Sequence, residues 1–156
     1  MKINNPLKLI ISIAICELAG LLGTIFTVSA IPTWYAGLDK PFLNPPSWLF
    51  GPAWTTLYFL MGVALWLVWT GSSKGKKRAI WLFAVQLALN AIWSPVFFGA
   101  HSIGGALVVI VILWATIAVT ISSFSKVSKK AAWLLVPYVA WVTFALYLNF
   151  ALWILN

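Results

Sequence analysis

Acid is almost missing from this chain. Its 156 residues hold two carboxylates, Glu17 and Asp39, and one histidine, His101. No acid pair is available for general acid–base work, and no Cys/His cluster has the spacing of a zinc site. Cys16 is the sole cysteine, so an intrachain disulfide is excluded and the redox compartment is not fixed by it. There is no phosphate-cradling glycine loop. There is also no arginine repeat or ring of charge of the kind voltage sensors and ion channels carry. Charged residues make up 8% of the chain and apolar ones 63%. A soluble domain has about a quarter of its residues charged, so this chain has too little polar surface to cover a globule.

What is present instead is length of apolar run and tryptophan. Eleven tryptophans point to a bilayer, where the amphipathic indole settles at the headgroup level. A spanning helix needs about 20 apolar residues. Five stretches qualify, at about 8–30, 49–70, 79–98, 103–124 and 131–154. The expectation is an all-α membrane protein, a bundle of five transmembrane helices forming a single domain over residues 1–156. Five spans are fewer than large secondary transporters with internal repeats use. The start, with Lys2 and Lys8 before an apolar run, has the outline of a secretory signal. The run continues to Ala30, which favours a retained helix.

Charge sets the expected orientation. Lys2 and Lys8 precede the first span, Lys74, Lys76, Lys77 and Arg78 separate the second and third, and Lys126, Lys129 and Lys130 separate the fourth and fifth. Nine of the ten basic residues thus fall on one side, and Lys40 stands alone on the other. The positive-inside rule places the N-terminus in the cytoplasm and the C-terminus outside. The net charge of +8 follows from these short flanking loops, not from a nucleic-acid surface.

The longest connection, residues 31–48, contains Pro41, Pro45 and Pro46, which keep it from turning helical until after Pro46. Trp34, Tyr35 and Trp48 suit an interfacial anchor. This loop reads either as a lid over a site or as a structured connector. Inside the spans, Glu17 is the one ionisable residue near mid-membrane. It reads as a ligand-pairing or proton-coupling carboxylate, or as a protonated acid bonded to a neighbouring helix. Gln86 and Asn90, four apart, share a helix face, and Asn149 is a further amide in the last span. All three suit interhelical hydrogen bonds or a polar cavity wall. Pro95 and Pro137 predict kinks. Ala19, Gly20 and Gly23 in the first span, and Gly104 to Ala106 in the fourth, permit close packing within the bundle or in a homodimer. Trp54, Trp93 and Trp141 lie within spans near the non-cytoplasmic ends or near prolines, and Trp66, Trp69, Trp81 and Trp133 toward the cytoplasmic ends as an aromatic belt.

The stretch "WYAGLDKPFLNPPSWLFGPAWTTLYFLMG", with "QLALNAIWSPVFFG" and "VPYVAWVTFALYLNF", resembles the translocator protein family, also called tryptophan-rich sensory proteins or peripheral benzodiazepine receptors. The blocks occur in the family's order over almost the whole chain. The resemblance implies a five-helix bundle, commonly a homodimer, that binds porphyrins such as protoporphyrin IX and hydrophobic drug-like molecules in a cavity capped by the first long loop. It implies no cofactor or metal beyond the porphyrin as ligand. By motif position Trp54, Asn90, Trp93, Trp141 and Ala145 line that cavity, with Trp34, Lys40, Pro45, Tyr58 and Asn149 completing the expected ligand-binding set. Lys40, the one base on that side, is the expected partner of the porphyrin propionates. Trp54 and Trp141 match the tryptophans tied to light-dependent porphyrin breakdown in some bacterial members, which leaves an enzyme and a tetrapyrrole or lipid transporter as alternatives to a receptor or sensor. The cholesterol motif of animal members needs a tyrosine followed by a base. Phe150 and Ile154 stand at those positions, so cholesterol is not expected. Gly105 stands where animal members have a cavity tryptophan. The absence of an organelle-type extension points to a prokaryotic cell membrane.

Overall fold

The computed structural model describes residues 5–156, so the expectation resting on Lys2 lies outside it. Five segments in it are long and apolar enough to cross a membrane. The first is α1, Asn5–Ala30. The second, α2, is Phe50–Thr70, entered through a 3₁₀ turn at Ser47–Leu49. The third, α3, is Lys76–Ser94, continued by a π turn at Pro95–Gly99. The fourth, α4, is Ile103–Ser125, and the fifth comprises α5, Lys129–Leu134, and α6, Val136–Leu155.

Local chemistry sets the boundaries. Ser102 Oγ accepts the Gly105 N–H at the start of α4, and Ser128 Oγ accepts the Ala131 N–H at the start of α5. Each satisfies an amide that the first helical turn leaves bare. Neither proline bends the middle of a continuous α-helix. Pro95 has no N–H to give the turn before it, so α3 ends there and the chain widens into the π turn. Pro137 sits in the first turn of α6, where no N–H is needed, and the break falls just before it at Leu135. His101 takes the tight corner between the π turn and α4 at a φ of 52°.

The spans form a closed ring in which α1 lies between α2 and α3, α4 follows α3, and the fifth span closes the circle against α2. The break at Leu135 lets that last span serve two neighbours, with α5 on α2 and α6 on α4. The basic end of the bundle is tightly filled. Val68, Ala79, Phe83, Phe124, Ala131 and Leu135 are buried there, and the rings of Phe83 and Phe124 stack with centroids 5.7 Å apart. Glycine brings α1 and α2 together. A Cβ on Gly62 would lie 2.6 Å from the Ile13 Cα, and one on Gly20 would collide with the Tyr58 ring. Gly23 faces Ser94 of α3, and Ala19 is buried. The small-residue patch of α1 is therefore used inside the bundle. In the α4 patch, Ala106 is buried, Gly104 faces Trp153 and Gly105 faces Ser102 and Val96.

Tryptophans mark the basic end as the sequence suggests. Trp81 and Trp133 are exposed, Lys8 lies over Trp69 with its ammonium 5.7 Å from the ring, and Trp66 donates to the Asn5 carbonyl.

Candidate functional site

Away from the basic end the ring of helices is hollow. A cavity of about 420 Å³ lies among α1, α2, α3, α4 and α6, roofed by the 31–49 connection. Its walls are mainly aromatic and aliphatic. Trp54 and Tyr58 stack at 5.5 Å on α2, Trp93 and Phe97 stack at 4.9 Å on α3 and its π turn, and Trp141 and Phe144 come from α6. Ile110 and Leu113 of α4 close the back. The lining residues that are exposed, such as Leu21, Thr24, Val28, Trp48 and Thr55, belong to α1 or to the start of α2 and the turn before it. The cavity thus opens sideways, between those two helices.

Two polar clusters hold the walls. In the first, the Tyr58 hydroxyl donates to Asn90 Oδ1 at 2.5 Å, Asn90 Nδ2 donates to the Tyr138 hydroxyl at 2.9 Å, and that hydroxyl donates to Gln86 Oε1 at 2.9 Å. Four groups on α2, α3 and α6 are tied by three bonds, and the four-residue spacing of Gln86 and Asn90 lets one tyrosine bridge both. In the second, Asn149 Oδ1 accepts from Trp93 Nε1 at 3.1 Å while its Nδ2 donates to the Ile103 carbonyl at 2.9 Å. This fixes the Trp93 ring and joins α6 to the first turn of α4. Trp141 Nε1 is buried and has no hydrogen-bond partner. A buried indole N–H normally finds one, and this one is packed against protein atoms rather than open to the cavity.

The roof is a folded object. Tyr35 is buried, lines the cavity and donates to Asn44 Oδ1 at 2.7 Å. Burial pushes its phenol up, and the bond to Asn44 offsets part of that rise. Trp34 stacks on His101 at 4.4 Å and meets the edge of Phe97 at 5.4 Å, which pins the roof to the corner between the π turn and α4. The Asn156 carboxamide grips the backbone of Asp39 from the far end of the chain.

Of the expected ligand-binding residues, Trp54, Tyr58, Asn90, Trp93, Trp141, Ala145 and Asn149 all line this one cavity. Trp34, Lys40 and Pro45 do not. Trp34 braces the roof from outside. Pro45 is part of the roof, and its carbonyl accepts from Asn44 Nδ2. The Lys40 ammonium donates to the Ala36 and Leu38 carbonyls at 3.0 and 3.1 Å and lies 5.1 Å from the Tyr35 ring. It is held by its own loop and is not aimed at the cavity. Gly105 is also absent from the wall. Glu17 also lines the cavity, and its carboxyl makes no hydrogen bond to another helix among the described residues. Sequence reasoning missed Tyr35, Phe97 and Phe98 as wall residues and Tyr138 as the hub of the first cluster. The paired amides at 86 and 90 were the available signal for a third partner across the bundle.

A sequence profile of the TspO/MBR family matches residues 12–154. The chain belongs to the TspO/MBR family. It is 45% identical over 152 residues to the tryptophan-rich protein TspO of Archaeoglobus fulgidus, covering 97% of this chain and 99% of the relative. It is 44% identical over 123 residues to the human translocator protein, covering 77% and 73%. It is 43% identical over 123 residues to the tryptophan-rich sensory protein of Cereibacter sphaeroides, covering 79% and 77%. Family membership and the five apolar helices make this TspO/MBR protein an integral, multi-pass membrane protein of the receptor or sensor kind.

Proposed function

We propose that this TspO/MBR protein binds a flat hydrophobic ring system of the tetrapyrrole kind, protoporphyrin IX being the test case, in the cavity beneath the 31–49 roof. The observation that carries the reading is the aromatic wall of that space. Trp54, Trp93 and Trp141 all line the one space, so a flat ring entering it meets indoles from three helices. The volume falls in the range of ordinary small-molecule sites, about 300–1,000 Å³. Hydrophobic drug-like molecules fit the same description. Lys40 is engaged by loop carbonyls, so porphyrin propionates would look to amides or to water at the mouth. Cholesterol is not part of the proposal, because Phe150 and Ile154 supply neither hydroxyl nor base. The proposed setting is a prokaryotic cell membrane with the basic end cytoplasmic. A homodimer, also proposed, would use outward faces of the helices, since the α1 small-residue patch is already used.

A second reading is favoured by one observation: Trp54 and Trp141 line the same cavity. Both indoles would contact one bound ring, which is what light-dependent porphyrin breakdown through them requires. Transport has no comparable support.

The test is quenching of tryptophan fluorescence by protoporphyrin IX in detergent, in the dark and then under illumination. Saturable quenching that weakens about tenfold in Trp141→Phe is expected. Absence of saturable quenching would overturn the tetrapyrrole reading. Bleaching of bound porphyrin in light, lost in Trp54→Phe and Trp141→Phe, would establish the chemistry.

A further inference from the structure

One side chain in the cavity wall is out of keeping with the rest. Among the described residues that line the space Glu17 is the single charged one, and no described side chain pairs with it. Three of the hydroxyls that line the same space are already placed. Thr24 donates to the Gly20 carbonyl, Thr27 to the Gly23 carbonyl and Tyr58 to Asn90. Lys8, on the same helix, is nine residues away, about 13 Å along the axis, with its ammonium over Trp69. Lys40 is held in the roof. Asp39, the other acid, has its backbone bound to Asn156 outside the cavity.

A carboxyl group within a membrane span is costly unless it meets a proton or a counter-ion, and such groups commonly mark a ligand path. Here the cavity that Glu17 lines is also walled by Trp54, Tyr58, Trp93 and Trp141. Aromatic faces with a single acid are the recognition chemistry of an organic cation. The rings attract positive charge through their quadrupoles, and the carboxylate supplies the counter-ion at low local dielectric. We infer that this cavity selects flat aromatic cations, ring systems bearing a protonated or quaternary nitrogen, with Glu17 as their counter-ion. The inference rests on the cavity being a ligand site but not on the ligand being a tetrapyrrole. A dianionic porphyrin must in fact turn its propionates away from Glu17.

Three tricyclic probes of one shape and different charge test it: 9-aminoacridine, anthracene and anthracene-9-carboxylate. Binding is read from tryptophan quenching of the full chain in neutral lipid nanodiscs, corrected with empty nanodiscs. The cation is expected to bind about tenfold more tightly than anthracene, and the anion more weakly than either. In Glu17→Gln the cation should bind no more tightly than anthracene binds the same variant, and Glu17→Asp should keep part of the preference. Equal binding of the three probes by the parent protein overturns the inference whether or not the variants fold. So does a cation preference that survives in a folded Glu17→Gln. Failure of protoporphyrin IX to quench, with a Glu17-dependent preference for 9-aminoacridine, would reject the tetrapyrrole and leave this inference standing. Porphyrin binding without any charge preference would do the reverse.

Discussion

Asn156 and Asp39, 117 positions apart, form a closed pair. The Asn156 Oδ1 accepts the Asp39 N–H at 2.9 Å, and its Nδ2 donates to the Asp39 carbonyl at 3.0 Å. One carboxamide thus satisfies both backbone groups of a single residue in the cavity roof. Both residues are exposed, so the two bonds together stabilise the roof by about 1 kcal/mol, at the low end for such bonds. Asn156→Ala should speed amide exchange across residues 34–44 about fivefold, with the melting temperature of the bundle little changed. Unaltered exchange would show that the pair does not hold the roof.

Tyr138 bridges Asn90 and Gln86 through one hydroxyl. Tyr138→Phe strands two buried amide groups and should cost about 2 kcal/mol in a detergent melt. Tyr147→Phe, on the exposed side of the same helix, is the control and should cost under about 0.5 kcal/mol. Adding Gln86→Leu to Tyr138→Phe should recover part of the loss, because the stranded carbonyl is then gone.

Gly62 meets the Ile13 backbone, which cannot swing aside as a side chain can. Gly62→Ala gains roughly 1 kcal/mol of helix propensity but forces α1 away from α2, and overpacking of this kind costs about 1–3 kcal/mol. A net fall in melting temperature is expected. Gly37→Ala, with nothing within 4 Å, should leave it unchanged.

Tyr35 supplies a pH dependence outside the membrane spans. Its phenol is raised by burial, so the folded protein favours the neutral form. The contribution is fully present below the ordinary phenol range near about 10 and is lost as pH rises through the raised value. Roof amides should therefore lose protection in strong alkali, beyond the base catalysis that speeds exchange of every amide. Tyr35→Phe should remove that pH dependence while giving up the bond to Asn44. An identical alkaline response in the variant would count against Tyr35 as the source.

The spans were legible because a run of some twenty apolar residues has few other destinations. Trp54, Asn90, Trp93 and Trp141 were placed by family resemblance; hydropathy alone would have left them in the core. Lys40 stands outside the cavity wall for a physical reason. Its position in the chain shows which side of the membrane it is on, but the turn at Tyr35–Gly37 turns the Ala36 and Leu38 carbonyls onto its ammonium, and only the folded loop shows that. Tyr138 was silent because a tyrosine in an apolar helix does not state which neighbour its hydroxyl will meet. The α1 glycines permitted two kinds of partner, and their choice between helix and second subunit was settled only by where Tyr58 and Ser94 sit.

The fifth span changes direction at Leu135, and with it the bundle divides its labour. The half holding Phe83, Phe124 and Leu135 is filled and carries the contacts that fix the fold, while the half holding Trp54 and Trp141 is hollow. Substitutions of wall residues outside the two polar clusters alter the shape and charge of a space and leave the filled half in place. A lineage built on this plan can exchange one guest molecule for another over evolutionary time and still inherit the same membrane architecture.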